Sequence, residues 1–180
     1  MVRGVGAALA ETGVQLLLLI AHDLPDRERL ERYMVGGHVD GVLLASLHGD
    51  DPLPGTLERA GVPAVLVGRP TGAAPASYVD ADNRGGARKA VDHLAARGRR
   101  TIATIAGPLD MGVGLDRLDG YRDGLRAAGL AEEGDLVESG DFTEEGGAAA
   151  MGRLLARPGR PVDAVFAASD LMAEHAGQFF

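Results

Sequence analysis

The sequence alternates short, almost unbroken apolar runs with longer amphipathic stretches along its whole length, and that rhythm restricts it to a layered α/β fold. Val14-Gln15-Leu16-Leu17-Leu18-Leu19-Ile20 is set off from a helical stretch at Val5 to Leu9 by Glu11-Thr12-Gly13, and it reads as a parallel strand buried on both faces. Further strands follow at Val39 to Ala45, Pro63 to Val67, Thr101 to Ala106, Leu136 to Ser139 and Val162 to Ala168. Between them the pattern predicts helices over Asp26 to Val35, Pro54 to Ala60, Asn83 to Arg97, Leu115 to Ala128 and Thr143 to Ala156, with Asn83 a candidate N-cap. Pro70-Thr71-Gly72-Ala73-Ala74-Pro75 is a loop.

A chain of 180 residues holds one medium domain or two small lobes. With 4% aromatic residues and no tryptophan, the interior must be assembled from Ala, Leu and Val in close-packed layers. Ala95-Ala96-Arg97-Gly98-Arg99-Arg100 is a natural crossing between lobes, which gives 1–97 for the first and 98–180 for the second.

Composition also limits the partners. A formal net charge of -8 and a pI near 5.0 disfavour direct contact of this segment with nucleic-acid phosphates. Zero cysteines leave no disulfide and no thiolate metal site, and the lack of cysteine is compatible with the cytosol. No apolar run approaches the roughly 20 residues of a membrane span, and the amino-terminal stretch lacks the organisation of a secretory signal.

In an open parallel sheet, ligands sit beyond the carboxyl ends of the strands. Those ends are Ala21-His22-Asp23, Ser46-Leu47-His48, Gly68-Arg69-Pro70, Gly107-Pro108-Leu109, Asp141-Phe142 and Ser169-Asp170. Catalytic signatures are sparse there. Gly112-Val113-Gly114 follows a strand, but Arg117 replaces the third glycine of a dinucleotide fingerprint, and the single lysine, Lys89, forms no P-loop. Ser46, His48 and Asp50 share one loop without a nucleophile elbow. The histidines His22, His38, His48, His93 and His175 show no metal-ligand spacing.

Asp80 and Asp82 alternate along extended chain and could act as an acid/base pair, although capping of the following helix by Asp82 or Asn83, with Asp80 in solvent, accounts for them more simply. Arg117, early in a helix that follows a strand, offers a planar fork suited to vicinal hydroxyls or a carboxylate, and equally to a salt bridge. Phe142 could stack on a sugar face or fill the core.

Several blocks, in order, resemble the effector-binding core of LacI/GalR regulators. They are Val39-Asp40-Gly41-Val42-Leu43-Leu44-Ala45-Ser46, Val79-Asp80-Ala81-Asp82-Asn83-Arg84-Gly85-Gly86, His93 to Ala103, Ala106-Gly107-Pro108-Leu109, Arg117-Leu118-Asp119-Gly120-Tyr121, Gly140-Asp141-Phe142 and Asp163 to Ala173. The resemblance implies a periplasmic-binding-protein type I fold, two Rossmann-like lobes with parallel sheets, incomplete at both ends.

It also implies a cytoplasmic, homodimeric, non-enzymatic sensor with no cofactor. Its effector, a sugar or purine, lies between the lobes and controls DNA binding by a helix-turn-helix headpiece that this chain lacks. Arg117 matches the family's effector-contacting arginine, Phe142 its stacking position, and Ser169-Asp170 its Asn-Asp pair, with Ser where Asn is usual. Met111 and Val113 are apolar where relatives place polar contacts. A solute-binding module of a transporter and a small α/β enzyme using the strand-end cleft are the competing readings.

Overall fold

The computed structural model describes residues 1–72, 76–158 and 161–176. Ala73-Ala74-Pro75 of the expected loop and 177–180 therefore lie outside the described residues. Two three-stranded parallel sheets form the framework, each strand joined to the next by a helix on the sheet face or by a loop.

The first sheet holds β1 (Val42–Ala45), β2 (Ala64–Val67) and β3 (Tyr78–Val79) in the order β1-β2-β3, with Val42 level with Ala64 and Leu66 with Tyr78. Helices α2 (Leu24–Val35) and α3 (Leu53–Arg59) accompany it. Met34, Leu44, Leu57 and Leu66 form its core. The Asp23 carboxylate starts α2 by accepting from the Asp26 amide at 2.8 Å, and Pro25 fits the first turn, where no amide donor is needed.

Val14 to Ile20 departs from expectation. Among the described residues no strand pairs with it, and Val14, Leu16, Leu17, Leu18 and Ile20 are exposed while Leu19 packs on the first core. An unbroken apolar run records a segment's demand for burial. It cannot supply the paired edge and covering layer that a strand needs. The helix before it, α1 (Val2–Leu9), buries no residue.

The second sheet runs β5-β4-β6, comprising β5 (Val137–Ser139), β4 (Ile102–Ala106) and β6 (Ala164–Ala167). All five residues of β4 are buried, as a central parallel strand requires. Helices α4 (Asn83–Ala96) and α5 (Gly112–Ala127) lie together on one face, where Val91, Leu118, Tyr121 and Leu125 pack with Ile102 and Ala106. Helices α6 (Glu144–Leu155) and α7 (Asp170–Ala176) cover the other, where Ala150, Met151, Leu154 and Met172 pack with Ala103 and Ile105. Tyr121 is fully buried, its hydroxyl donating to the Ile102 carbonyl at 2.7 Å; burial raises its phenol above the ordinary range.

Helix α4 thus contributes its core residue, Val91, to the second sheet. The chain passes from one sheet to the other through Asp80-Ala81-Asp82, directly after β3. Asp82 caps α4 by accepting from the Gly85 amide at 2.9 Å, so Asn83 is the first helical residue and not the cap.

Candidate functional site

In the second sheet the chain leaves β4 toward β5 on one side and returns to β6 on the other, so the topological switch point falls between β4 and β6. A crevice outside the carboxyl ends of those strands is the expected ligand position. A cavity of about 380 Å³ opens there, within the size range of small-molecule sites. The first turns of α4 line it with Asp82, Asn83, Gly86 and Ala87, the end of β6 with Phe166 to Asp170, and α5 with Arg117. Small Gly and Ala side chains keep the space open, and the polar groups converge on it.

Arg117 is held at two points. Its Nε donates to Asn83 Oδ1 at 2.9 Å, and Nη1 donates to the Ala168 carbonyl. Those are its hydrogen bonds among the described residues, so the rest of its five donors are available to a ligand. Ser169 Oγ accepts from the Met172 amide at 3.3 Å and retains its own hydroxyl proton. Asp82, Asp170 and Ser169 add acceptors beside the arginine, a mixture suited to hydroxyl groups, which both donate and accept.

Asp80 is engaged on every side. Its Oδ1 accepts from Asn83 Nδ2 and from the Ala81 amide, both at 2.8 Å, and Oδ2 from the Arg69 amide at 3.0 Å. It is therefore a structural node at the crossing between sheets, where sequence reasoning had placed it in solvent.

The structure brings Arg117, Ser169 and Asp170 to one cavity and leaves Phe142, Met111 and Val113 off its walls. Phe142 follows β5 with a φ of 65°, and its ring lies so close over Gly107 that any side chain there would collide with it. That ring packs against the core shared by α6 and α7. Met111 stands at the N-cap of α5 without a capping side-chain bond, and Val113 is half-buried in its first turn. Asp82, Asn83, Gly86, Ala87 and Phe166 were not singled out as cavity residues from sequence. The signal that could have found them is the position of Asp82 and Asn83 at a helix N-terminus beside the crossing.

The strand ends of the first sheet meet the start of α5. The Gly49 amide donates to the Asp110 carbonyl at 2.8 Å, and His48 Nδ1 lies 2.9 Å from Asp110 Oδ2. Arg69 grips Asp116 with Nε at 3.2 Å and Nη2 at 2.5 Å, and that hydrogen bond raises the Arg69 pKa further. Gly112 is packed so tightly on the Arg69 carbonyl that a Cβ there would force the two apart. Ser46, at the end of β1, has a φ of 59°, a left-handed setting of the kind that clusters at ligand clamps and switch regions. Among the described residues no three His, Cys, Asp or Glu side chains are placed to hold a metal ion, and no helix is long and apolar enough to cross a membrane.

Residues 1–180 match the family described as periplasmic binding proteins and sugar binding domain of LacI family. The chain belongs to that family. Its two helix-flanked parallel sheets are the periplasmic-binding-protein-like type I fold. Among its relatives is the HTH-type transcriptional regulator CelR of Thermobifida fusca, 55% identical over 174 residues that make up 96% of this chain and 51% of that protein. The ribose operon repressor of Escherichia coli K12 is 33% identical over 177 residues, 96% of this chain and 53% of the repressor. The chain spans about half the length of the curated relatives it matches. A solved transcriptional regulator CelR-cellobiose complex superposes with a TM-score of 0.93 at 54% identity, over 98% of this chain and 54% of that one. A LacI family transcriptional regulator from Mycobacterium smegmatis gives 0.86 at 32% identity, over 97% and 64%.

Proposed function

We propose that the chain is the effector-sensing part of a LacI-type transcriptional regulator and that its effector is a small neutral sugar of the cellobiose class. The observation that carries this reading is the likeness, at 54% identity and a TM-score of 0.93, to a regulator solved with cellobiose. The cavity beside Arg117 supports it, because a sugar's vicinal hydroxyls accept from the guanidinium fork while donating to the Asp82 and Asp170 carboxylates. Ser169 supplies a further hydroxyl contact, and Phe142, Met111 and Val113 stand at the neighbouring strand and helix ends, where a longer sugar reaches them when the lobes adjust.

The first lobe then comprises the β1-β2-β3 sheet with α2 and α3, and the second begins at the Asp80-Ala81-Asp82 crossing, earlier than the Arg97-Gly98 division read from sequence. Effector binding stabilises one arrangement of the lobes over another. The whole regulator, acting as a cytoplasmic homodimer, transmits that shift to DNA through a region outside this chain. No bond is made or broken in the effector.

A thermal-shift panel of cellobiose, ribose and adenosine tests the reading, since a ligand that binds only the folded state stabilises it by RT ln(1 + [L]/Kd). A melting temperature that climbs with the logarithm of cellobiose concentration is the expected result. No shift with any of the three, or chemical turnover of cellobiose, would overturn it.

A further inference from the structure

We propose that Asn83 is a positioning residue, a carboxamide held by Asp80 that sets the Arg117 guanidinium for the effector and ties that setting to the strand ends of the first sheet.

Asn83 is 8% exposed, and both ends of its side chain are committed. Its Nδ2 donates to Asp80 Oδ1 at 2.8 Å and to the Ala81 carbonyl at 3.2 Å, and its Oδ1 accepts from Arg117 Nε at 2.9 Å. The amide has one workable orientation. Flipped, it would set two donors against each other at Arg117 and an oxygen against two acceptors at Asp80 and Ala81.

The chain of contacts extends further at each end. Asp80 Oδ2 accepts from the amide of Arg69, whose side chain holds Asp116 on α5. Arg117 Nη1 donates to the Ala168 carbonyl beyond β6. A ligand that draws on the free edge of the Arg117 fork therefore pulls on a series of hydrogen bonds that crosses from the second sheet to the end of β2. Since the cavity is lined by Asp82 and Asp170 as well as Arg117, the guanidinium without its carboxamide partner would turn toward one of those carboxylates.

Two isosteric changes distinguish this role from simple packing. In Asn83→Asp a carboxylate faces the Asp80 carboxylate, so the link fails at neutral pH and re-forms when the pair takes up a shared proton in acid. In the double variant Asp80→Asn/Asn83→Asp the donor and acceptor of that one bond exchange places and it re-forms at pH 7, while the Ala81 amide and carbonyl lose the partners they had. The charged groups near the pair are Arg69 and Arg117, with Asp82 and Asp170 on the walls of the cavity. The parent protein titrated at each pH is the reference.

The experiment titrates the whole protein with cellobiose by calorimetry and follows exchange of the Arg117 Nε–H by nitrogen-15 NMR. Loss of one hydrogen bond to a charged group predicts roughly tenfold weaker binding for Asn83→Asp at pH 7, recovered at pH 5 and in part in the double variant. The Arg117 Nε–H is expected to be protected in the parent and the double variant, and to exchange faster in Asn83→Asp at pH 7. Unchanged affinity and exchange in Asn83→Asp, or losses that neither acid nor the double variant repairs, would overturn the proposal. The titration arm rests on the sugar-sensor reading; the exchange arm needs no ligand. Absence of cellobiose binding in every protein therefore counts against that reading, while the exchange result alone decides the role of Asn83.

Discussion

Replacing Gly112 by Ala places a methyl group at the contact between the lobes. The new Cβ would press on the Arg69 carbonyl oxygen with its carbon at 3.3 Å. A methyl carbon and a carbonyl oxygen touch at roughly 3.3 Å, well beyond the separation left between the new Cβ and that oxygen, so the first lobe must retreat by about 1 Å. Overpacking of this kind costs typically about 1–3 kcal/mol. Alanine's better helix propensity at the start of α5, worth up to about 1 kcal/mol, is gained in both lobe arrangements and leaves that penalty on the closed one. The strain falls on the contact between the two sheets, because the three atoms nearest the new Cβ all belong to Arg69.

The expected outcome is thus a folded protein whose closed arrangement is penalised, with cellobiose affinity reduced about 5- to 150-fold and little change in the melting temperature of the ligand-free protein. Gly120→Ala is the control. Its Cβ would meet the Arg84 carbonyl and stand 2.8 Å from the Ala87 Cβ, between α4 and α5 inside one lobe. There nothing can open without unfolding, so stability falls. Calorimetric titration and thermal melts of both variants separate the cases. Unaltered affinity in Gly112→Ala, or a loss of stability matching that of Gly120→Ala, would refute the argument that the Gly112–Arg69 contact belongs to a movable interface.

Other outcomes follow from the same contacts. Tyr121→Phe removes the buried hydroxyl bonded to the Ile102 carbonyl and should lower unfolding free energy by about 1–2 kcal/mol, read from denaturant melts. Arg117→Lys should weaken cellobiose binding without loss of fold, because an ammonium cannot hold Asn83 and Ala168 and still present a planar edge; equal affinity would contradict that. Acid melts should show a loss below about pH 4.5. Hydrogen bonds from Arg84 to Asp123 and from Thr143 to Asp141 hold both carboxyls below their ordinary 3.8. At Glu138 burial pushes upward, but bonds from Arg153 and Arg157 outweigh it and leave the group below 4.5. The stability these groups contribute is present above their ordinary values and disappears as pH falls through the lower folded ones. A melting temperature constant from pH 6 to pH 3 would refute it.

Much of the framework was legible because parallel strands declare themselves as apolar runs. Ile102 to Ala106 and Ala164 to Ala167 fall within the predicted strands. The same signal misled at Val14 to Ile20, since apolar continuity cannot show whether a sheet edge is there to receive it. Strand β3 went unread because Tyr78–Val79 is two exposed residues, with no periodicity to detect. At the site, family resemblance singled out Arg117, but the partners that orient it are 34 residues earlier in Asn83 and 51 later in Ala168, a convergence that only the packing of α4 on α5 creates. The left-handed backbones of Ser46 and Phe142 carry no glycine to mark them.

On the proposed reading, the crevice at the β4/β6 switch point, beside Arg117, holds a sugar. A crystal structure of the protein grown with cellobiose tests it most directly. The disaccharide is expected in that crevice, with adjacent hydroxyls on the Arg117 guanidinium and further contacts from Asp82, Ser169 or Asp170. Cellobiose bound elsewhere, or an empty crevice at saturating concentration, would contradict it.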